Sequence, residues 1–511
     1  MTAGIAGVVP VYFFGGQCVR VAWVAPEMMP FAKTGGLGDV AGALPVVLAG
    51  LGHEIVACLP RYRAINPGAH ALTPLAEDIR VPVGARGEAG RLWEGRSDGV
   101  RVLLLEHAGF YGRDALYQEK GRDYPDNAER FIFFCRGALE ALRALAWKPD
   151  VIHCHDWQSG LVPAYLKTVH DADPFFADVA SLFTVHNLGY QGLFPPETFP
   201  LTGLPGHLFT PAGIEFWGKV NFLKAGLVCA DLLNTVSPAY SREIQTPEFG
   251  HGLDPLLRHR AADLYGVLNG VDYSEWNPRS DTHLVAHYSA EDLGGKAACK
   301  RDVQAVVGLP PRADVPLLAV ISRLAHQKGI DLIAAIAGAL FRMDLQMVVL
   351  GTGEADLERD IGGLQEEYPD KCAVRIGFDL ALSHKIQAGA DILLMPSRYE
   401  PCGLNQMYSL AYGTVPIVSA TGGFTDTIVP FDPSSGTGNG FPFARTDAGD
   451  LLRTVRRAVR LFRDRDRWMR LVQNGMAADF SWERPAKEYE RLYRLAVERR
   501  RTVGGERGRK G

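Results

Sequence analysis

Short apolar runs alternate with longer segments of helical periodicity along most of the chain. Residues 19–25 form one apolar run, and beyond a glycine-rich turn the apolar residues from Leu37 to Leu51 recur at helical spacing. Similar short runs, each predicted to be a strand, lie at 55–59, 151–154, 182–185, 317–321, 347–350, 392–395 and 415–419. Strands that alternate with helices are typical of parallel sheets with crossover helices, so the pattern predicts an α/β fold.

A turn-rich stretch, Asn269-Gly270-Val271-Asp272, separates two such series of strands and helices. The chain has 511 residues, well beyond the ~250–300 residues at which a single core stops growing. We therefore predict two domains, at 19–266 and 267–482. A helix at 483–498 follows them, residues 1–18 are a dispensable extension or, alternatively, a poor signal peptide, and the basic tail at 499–511 is disordered.

A six-residue word occurs in both halves of the chain. Residues 34–39 read TGGLGD and residues 421–426 read TGGFTD. Each word follows a predicted strand and opens a predicted helix. Coincidence explains six residues easily, but the shared context favours two related nucleotide-binding folds.

Composition and charge narrow the range of partners. Apolar residues make up 47% of the chain and charged residues 22%, and the net charge is −4, so nothing indicates a nucleic-acid or membrane surface. The eight cysteines include no C-x-x-C pair, which excludes a disulfide framework and fits a reducing cytoplasm. We expect a cytoplasmic protein that binds neither nucleic acid nor membrane.

The unusual polar words fall where predicted strands end. They are KTGG at 33–36, HDWQ at 155–158, HN at 186–187, SRLAHQKG at 322–329, GTGE at 351–354, EPCGLNQ at 400–406 and TGG at 421–423. Ligands of open parallel sheets bind beyond the carboxyl ends of the strands. These words therefore predict one site for an anionic, nucleotide-type ligand.

Three cations are candidates for binding that anion. Lys33 precedes Gly35 and Gly36, whose amides can approach an anion at a helix N-terminus, although a plain tight turn with a solvated lysine is the alternative. Arg323 and Lys328 follow a predicted strand and can compensate the charge of a departing diphosphate. The alternative for this pair is that both side chains solvate a loop.

Glu400 precedes a turn into a helix, so its carboxylate can hold sugar hydroxyls, or it is only a partner of the helix dipole. Cys402 is expected to be a small buried side chain, because no partnered histidine lies nearby in sequence. His153 and His155 share one face of a strand, but no second cluster has ligand spacing, so no metal is expected. The GTGE word lacks the third glycine of a dinucleotide fingerprint.

Several long words of this chain together resemble the bacterial glycogen synthases, the glycosyltransferase family that includes plant starch synthases. The words are KTGGLGDVAGALP (33–45), HCHDWQSGLVPAYL (153–166), FTVHNLGYQGLF (183–194), NFLKAGLVCAD (221–231), VLNGVD (267–272), SRLAHQKG (322–329) and EPCGLNQMYSLAYGTVPIV (400–418). At the C-terminus, Trp482 is followed by Ala486, Tyr489 and Tyr493 on one helical stripe, which is also similar. The resemblance covers residues 19–495.

The resemblance implies a GT-B fold, in which two Rossmann-like domains face each other across a cleft and the last helix crosses back to the first domain. It implies that the N-terminal domain binds the acceptor and the C-terminal domain the donor. The implied reaction is transfer of glucose from ADP-glucose to the non-reducing 4-OH of glycogen or another α-1,4-glucan, with retention at the anomeric carbon. No cofactor and no metal are implied.

The resemblance also assigns roles to single residues. In the N-terminal half, Lys33 and the amides of Gly35 and Gly36 would contact the donor diphosphate, and Asp39 would orient their loop or, alternatively, cap the helix. Asp156 would lie near sugar or acceptor hydroxyls. His186 would bind the glucose 6-OH, with its backbone carbonyl facing the anomeric centre.

In the C-terminal half, Arg323 and Lys328 would neutralise the departing ADP and Glu400 would hold glucose hydroxyls. The segment Cys402, Gly403, Leu404 and Asn405 would complete the donor site through its amides. Tyr408 stands where transferases with an E-x7-E pattern have their second glutamate, so ribose recognition would use other groups. Gln158 and Asn405 differ from many relatives but keep hydrogen-bonding capacity.

Retention requires a covalent intermediate or attack from the face of the leaving group. None of these words offers an evident nucleophilic carboxylate, so front-face attack through an oxocarbenium-like state is expected. Alternatives are a related GT-B transferase with another donor or acceptor, an NAD-dependent oxidoreductase, and an inactive glycan-binding protein. The oxidoreductase lacks its fingerprint, and an inactive protein would be expected to have lost Lys33, Arg323, Lys328 or Glu400, all of which are present.

Overall fold

A computed structural model describes residues 18–119 and 121–507 of the chain. The predicted extension at 1–18 therefore lies, apart from Cys18, outside the described residues, and so do the last four residues of the basic tail. The chain forms two compact units. As far as they are described, the first contains Met1–Val236, Ile244–Val267 and Trp482–Gly511, and the second contains Ser237–Glu243 and Leu268–Ser481.

The first unit is built on a nine-stranded sheet. Its strands are β1 (Arg20–Val24), β2 (Glu54–Pro60), β3 (Thr73–Val83), β4 (Arg86–Ser97), β5 (Val100–Glu106), β8 (Val151–His155), β9 (Ala180–Val185), β13 (Leu232–Thr235) and β14 (Leu264–Gly266). The order in space is β14-β13-β9-β8-β1-β2-β5-β4-β3. All neighbours are parallel except in the antiparallel ribbon β5-β4-β3 at one edge. The parallel strands are buried almost throughout, which explains their continuous apolar sequence.

The remaining elements of the first unit surround this sheet. Its helices are α1 (Gly36–Gly50), α2 (Ala108–Tyr111), α3 (Asn127–Ala144), α4 (Asp156–Ser159), α5 (Leu161–Lys167), α6 (Phe199–Thr202), α7 (Phe222–Cys229), α9 (Asp254–His259) and α18 (Glu483–Arg507). A hairpin pairs β6 (Gln118–Glu119) with β7 (Arg122–Asp123), and a small antiparallel sheet contains β10 (Leu193–Phe194), β11 (Glu215–Phe216) and β12 (Lys219–Asn221).

The second unit has a six-stranded sheet in which all strands are parallel. Its elements are α8 (Pro238–Glu243), α10 (Gly294–Val307), β15 (Leu317–Ile321), α11 (Ile330–Leu340), β16 (Gln346–Gly351), α12 (Ala355–Glu367), β17 (Cys372–Ile376), α13 (Leu380–Gly389), β18 (Ile392–Met395), α14 (Asn405–Ala411), β19 (Val415–Ser419), α15 (Gly423–Thr427), β20 (Phe441–Phe443), α16 (Ala448–Phe462) and α17 (Arg465–Met476). Leu318 and Val320 of β15 enter one core and Leu317 and Ala319 the other, so both faces of the sheet are buried.

Both sheets reverse their strand order at a switch point. In the second unit the order is β17-β16-β15-β18-β19-β20, the 3-2-1-4-5-6 order of Rossmann folds. The parallel part of the first sheet repeats this order, with β1 and β8 at the reversal. Ligands of such sheets bind at the carboxyl ends of the strands beside the reversal. The loops after β1 and β8, and after β15 and β18, are therefore where a site is expected.

Two predicted boundaries need correction. Residues 237–243 belong to the second unit, because the Ser237 hydroxyl donates to the Pro401 carbonyl (2.6 Å) and the Ala239 amide to Asp426 (2.8 Å). The predicted disorder from residue 499 is wrong as far as Arg507, because α18 continues to that residue. Arg499 pairs there with Asp263, and buried Arg500 donates to the Ala177 carbonyl at 3.0 Å.

The polar network behind β8 and β9 fixes α18 to the first unit. Tyr489 and Tyr493 are fully buried, as the predicted stripe required. The Tyr489 hydroxyl accepts from Asn234 (3.0 Å), and the Tyr493 hydroxyl lies 2.9 Å from Nδ1 of His153. In the part of the chain that the structure describes, no helix has the length and apolar content needed to span a bilayer.

Candidate active site

A buried glutamate holds the glycine loop after β1. The Glu27 carboxylate accepts from the amides of Thr34 (2.5 Å) and Gly35 (3.3 Å), and from the hydroxyls of Thr34 (2.6 Å) and Tyr117 (2.7 Å). Burial raises the pKa of this carboxyl, against the effect of the hydrogen bonds. In this structure the Gly35 amide thus points to an internal carboxylate. Sequence reasoning missed Glu27, although an acid in the apolar stretch after β1 is a recognisable signal.

Asp39 binds the lysine of this loop. Its carboxylate lies 2.5 Å from Nζ of Lys33, and burial raises the pKa of Asp39. The helix begins at Gly36 behind Gly35, with no side-chain cap, so Asp39 orients the loop and does not cap the helix. A Cβ added to Gly35 would meet nothing within 4 Å, so the space above this residue is open.

Asp156 begins α4 at the carboxyl end of β8, with a backbone φ of 55°. A left-handed conformation in a residue other than glycine is often found at functional sites. The Asp156 carboxylate accepts from the His186 amide at 2.7 Å, which ties the end of β8 to the end of β9. Burial raises the pKa of Asp156 to about 7.

His186 belongs to a stack of buried imidazoles. Its Nε2 lies 3.0 Å from Nδ1 of His155, and burial lowers the pKa of His186 to about 3, so its ring is neutral near pH 7. The His153 and His155 rings do share one face, with centroids 4.1 Å apart, and Trp23 packs on both. Nε2 of His153 is bound by the Thr184 hydroxyl at 2.6 Å.

The metal hypothesis has one candidate group among the described residues, and it lies elsewhere. His326, Glu354 and Asp356 are exposed, and their ligand atoms lie within 4.8 Å of one another. Exposed acidic groups of this kind are common without an ion, so this group alone indicates no metal site.

In the second unit, the loops after β15 and β18 meet through an ion pair. Nζ of Lys328 lies 2.5 Å from Oε2 of Glu400, to which the Ser397 hydroxyl also donates at 3.0 Å. Gly329 is left-handed (φ 68°), and a Cβ there would overlap the carbonyl oxygen of Pro396. Only glycine therefore allows the loops after β15 and β18 to come this close together. Glu400, in the second of these loops, is only 6% exposed.

Arg323 lies on the same loop as Lys328 and is exposed. Its guanidinium donates to Oε1 of Gln327 at 3.1 Å, and Gln327 in turn donates to the Tyr399 carbonyl at 2.9 Å. The structure thus brings Arg323, Lys328 and Glu400 together at the switch point of the second sheet.

The segment after Glu400 is packed from inside by its side chains. Cys402 is buried, and burial raises the pKa of its thiol to about 12. Gly403 has a φ of 72°, Leu404 precedes α14, and the Asn405 side chain donates to the Ile321 carbonyl at 2.8 Å. Tyr408 is buried in α14 and stacks on Trp276 with ring centroids 4.0 Å apart. The side chains of Cys402 and Tyr408 therefore support the loop from inside.

The two other glycine words are explained by close packing. A Cβ at Gly351 would overlap the Ser322 carbonyl, and one at Gly353 the Leu324 carbonyl. The GTGE turn therefore packs against the loop of Arg323, and this packing explains its glycines without a bound dinucleotide. Gly422 likewise leaves no room for a Cβ beside the Glu400 carbonyl.

Comparison with known proteins decides the family. Residues 20–259 match the family model of the starch synthase catalytic domain, and residues 308–475 match glycosyl transferases group 1. The chain is 52% identical to a glycogen synthase of Anaeromyxobacter sp. (strain Fw109-5) over 477 residues, which are 93% of this chain and 99% of the relative. It is 48% identical to one of Syntrophotalea carbinolica over 482 residues, covering 94% and 99%. The chain belongs to the glycogen synthase family.

Solved structures agree with this assignment. The catalytic domain of starch synthase IV from Arabidopsis thaliana, bound to ADP and acarbose, superposes with a TM-score of 0.89 at 33% identity, covering 94% of this chain and 100% of that one. Sucrose-phosphate synthase from Thermosynechococcus elongatus, at 21% identity and a TM-score of 0.58, shares the fold. The predictions of an α/β fold of the GT-B class and of a glycosyltransferase are confirmed.

Two further residues of this glycogen synthase family member were not found from the sequence. Glu243 accepts from the Gly422 amide at 2.8 Å, and it lies in a segment predicted to belong to the other domain. Phe378 follows β17 and is 79% exposed, although apolar side chains of this size are usually buried. An exposed aromatic ring beyond the carboxyl end of a parallel strand is suited to stack on a nucleotide base.

Proposed function

We propose that this chain elongates glycogen by moving glucose from ADP-glucose to the non-reducing 4-OH of an α-1,4-glucan, with retention of configuration. The observation that carries the proposal is the grouping of Arg323, Lys328 and Glu400 at the switch point of the second sheet. That position favours a nucleotide, and the cations suit a diphosphate leaving group. The family membership supports glucose as the transferred sugar and a glucan as the acceptor.

The second unit would bind the donor. Arg323 and Lys328 would stabilise the negative charge that develops on ADP as the bond to glucose breaks. Glu400 would accept from glucose hydroxyls, while the amides of Gly403, Leu404 and Asn405 contact sugar and phosphate. Lys328 and Ser397 orient the Glu400 carboxylate for that role, since both bind the same oxygen.

The first unit would supply groups around the reacting sugar. Asp156 and His186 are held together by the bond between the Asp156 carboxylate and the His186 amide. His186 would bind the glucose 6-OH as a neutral imidazole, and Asp156 would orient sugar or acceptor hydroxyls. Lys33, positioned by Asp39, would contact the diphosphate.

The candidate carboxylates favour front-face attack over a covalent intermediate. Glu400 is bound to Lys328, and Asp156 is bound to the backbone of the next strand end. In the proposed step the acceptor 4-OH forms a bond to the anomeric carbon while the bond from that carbon to the phosphate oxygen breaks. ADP leaves with the electron pair, and a phosphate oxygen takes the acceptor proton. Positioning and charge stabilisation would provide the catalysis.

We further propose that the reaction needs neither metal nor cofactor and takes place in the cytoplasm. The unpaired state of all eight cysteines supports a reducing compartment. Activity should persist in EDTA, and loss of activity that Mg²⁺ restores would contradict the metal-free mechanism.

Phe378 would stack on the donor base, so Phe378→Ala should raise KM for the donor and leave KM for glycogen unchanged.

The decisive experiment measures transfer of labelled glucose into glycogen from ADP-glucose and from UDP-glucose. We expect ADP-glucose to be preferred and the newly added label to be released fully by an exo-acting α-1,4-glucosidase. Transfer from UDP-glucose alone would correct the nucleotide. Label that resists release would contradict the linkage or the retention.

A further inference from the structure

The tip of a small hairpin in the first unit presents a tryptophan to solvent. Trp217 is 84% exposed, the largest exposed fraction among the big apolar side chains of the described residues. It lies between β11 and β12, in a two-residue turn with Gly218. Tyr190, just before β10 of the same small sheet, is 50% exposed, and Leu193, in β10, is 42% exposed. Large exposed apolar side chains that recur on one small sheet make it a candidate binding surface.

Trp217 is an unfavourable residue for the turn that it occupies. Its φ is 51° and that of Gly218 is 77°, so both central residues have positive φ, as in a type I′ hairpin turn. Asn, Asp or Gly are preferred at the first of these positions, and a bulky residue there is strained. The tryptophan also gains little burial in return. Neither the turn nor the core accounts for it, so the exposed ring itself is the feature to explain.

The hairpin tip is connected to the candidate active site through a short series of contacts. A Cβ added to Gly252 would lie 3.0 Å from the Phe216 ring and 3.7 Å from Nε1 of Trp217. The neighbouring His251 carbonyl accepts from the Gln191 side chain at 3.1 Å. Gln191 is five residues beyond His186, on the loop that leaves β9.

The small sheet is also packed against the residue that follows Asp156. The ring of Phe194 in β10 lies 5.7 Å from that of Trp157, centroid to centroid. Gly192 is left-handed (φ 61°), and a Cβ there would lie 2.5 Å from the Trp157 ring, so the chain can pass this closely only as glycine. The small sheet that carries Trp217 therefore has a fixed position relative to Asp156 and His186.

We infer that Trp217 is a binding platform for the acceptor glucan, which engages it by stacking the C–H face of a glucosyl ring on the indole. This inference rests on the proposed function, because that function supplies the glucan. The chemistry fits: a pyranose ring presents apolar C–H groups on its faces and hydroxyls on its rim, and an exposed indole offers a flat, electron-rich face. The contacts that connect the small sheet with the loops of Asp156 and His186 favour a glucan as the ligand of Trp217, because the proposed reaction brings the acceptor to those loops.

The sharpest variant is Trp217→Asn, because it removes the ring and installs a residue that the turn prefers. We expect it to raise KM for glycogen and maltoheptaose about tenfold, the effect of losing one buried aromatic contact. KM for ADP-glucose should stay at the wild-type value, and the melting temperature should not fall. Trp217→Phe keeps a flat ring and should restore most of the affinity. Leu51→Ala is the matched control, an exposed apolar residue (44%) at the far end of α1.

Binding is measured separately from activity by electrophoresis in native gels that contain glycogen. We expect the wild-type chain and the Leu51→Ala variant to be retarded, and Trp217→Asn to migrate almost as in a gel without glycogen. Wild-type retardation and KM in Trp217→Asn would overturn the inference. So would a wild-type oligomer that this substitution dissociates without affecting glucan binding, since the tryptophan would then seat a second copy. If the wild-type chain transfers no glucose, the proposed function fails, while the gel still tests the platform.

Discussion

Replacement of Glu27 by alanine should destabilise the first unit and disorder the loop that carries Lys33. The carboxylate accepts four hydrogen bonds, from the amides of Thr34 and Gly35 and from the hydroxyls of Thr34 and Tyr117. Hydrogen bonds of this kind contribute about 0.5–1.5 kcal/mol each, so the four together contribute about 2–6 kcal/mol.

Part of this cost is offset, because removing Glu27 also removes a carboxyl whose pKa is raised by burial. A net loss of about 2–4 kcal/mol is expected, which lowers the melting temperature of a domain of this size by about 4–16 °C. Glu27→Gln can turn its oxygen to the amides and its NH₂ group to the hydroxyls. It should therefore cost no more than about 1 kcal/mol.

Scanning calorimetry measures these shifts, and KM for ADP-glucose reports on the loop. Glu54→Ala is the matched control, because Glu54 forms an exposed ion pair with Arg20 (3.3 Å) in the same unit. Such pairs contribute about 0–1 kcal/mol. If Glu27→Ala melts within a degree or two of Glu54→Ala and keeps the wild-type KM, Glu27 does not organise the loop.

Three further substitutions test the candidate site. Arg323→Ala should lower kcat by at least about a hundredfold with the fold intact, whereas Arg312→Ala, which removes an exposed cation on the side where β15 begins, should not; equal kcat values would remove Arg323 from the site. The raised pKa of Asp156 (about 7) means that its favourable contribution is present below about pH 4 and is lost as the pH rises to about 7. The melting temperature of Asp156→Asn relative to wild type should thus increase across that window, and parallel profiles would contradict the pKa. Cys402→Ser should retain activity in a glucose-incorporation assay, because a thiol with a pKa of about 12 is no nucleophile at neutral pH; an inactive, folded variant would show a chemical role.

The sequence predicted those parts of the fold in which burial leaves a simple pattern. The strands at Leu317–Ile321, Ile392–Met395 and Val415–Ser419 have the predicted bounds, because a parallel strand covered on both faces is apolar throughout. The ribbon β3-β4 escaped prediction. Its residues mix exposed charges with buried positions, and its register shifts twice along the pair, so neither helical nor strand periodicity is clear.

Residues of the candidate site could be predicted where a local sequence pattern marks them, and could not where only the fold brings them together. Lys33, Lys328 and Glu400 were predicted because each belongs to a glycine-containing word at a predicted strand end. Glu243 could not be found, because its partners are almost 180 residues away in sequence and only the fold brings them together. The helical part of the tail was mispredicted from its composition, since ion pairs such as that of Arg499 with Asp263 hold it against the first unit.

The repeated TGG word proves to be a repeated arrangement. In the first unit a glutamate, Glu27, accepts from a threonine hydroxyl and from the amide of Gly35. In the second unit Glu243 accepts from the Thr421 hydroxyl (3.2 Å) and from the amide of Gly422 (2.8 Å), and Gly422 stands at the position of Gly35 in the word. Burial raises the pKa of both glutamates. The two glutamates lie at different distances from the TGG word in the sequence. The two arrangements therefore share their hydrogen-bond chemistry but not the sequence around the acid.

This arrangement changes the predicted role of the glycine loop. A turn that opens a helix presents amides with partial positive charge, and an anion is stabilised there. Where the protein already supplies a carboxylate, a phosphate must compete with it for the same amide. A contact of the Gly35 amide with the donor diphosphate would therefore have a competitor in Glu27, whereas the Lys33 side chain is 21% exposed and pairs with Asp39. It follows that Lys33 should contribute more to donor binding than the Gly35 amide does. Lys33→Ala should raise KM for ADP-glucose, whereas Glu27→Gln, which leaves the loop in place, should leave KM unchanged. A KM that Glu27→Gln lowers and Lys33→Ala does not change would show that the amide, once freed of its competitor, is the phosphate ligand.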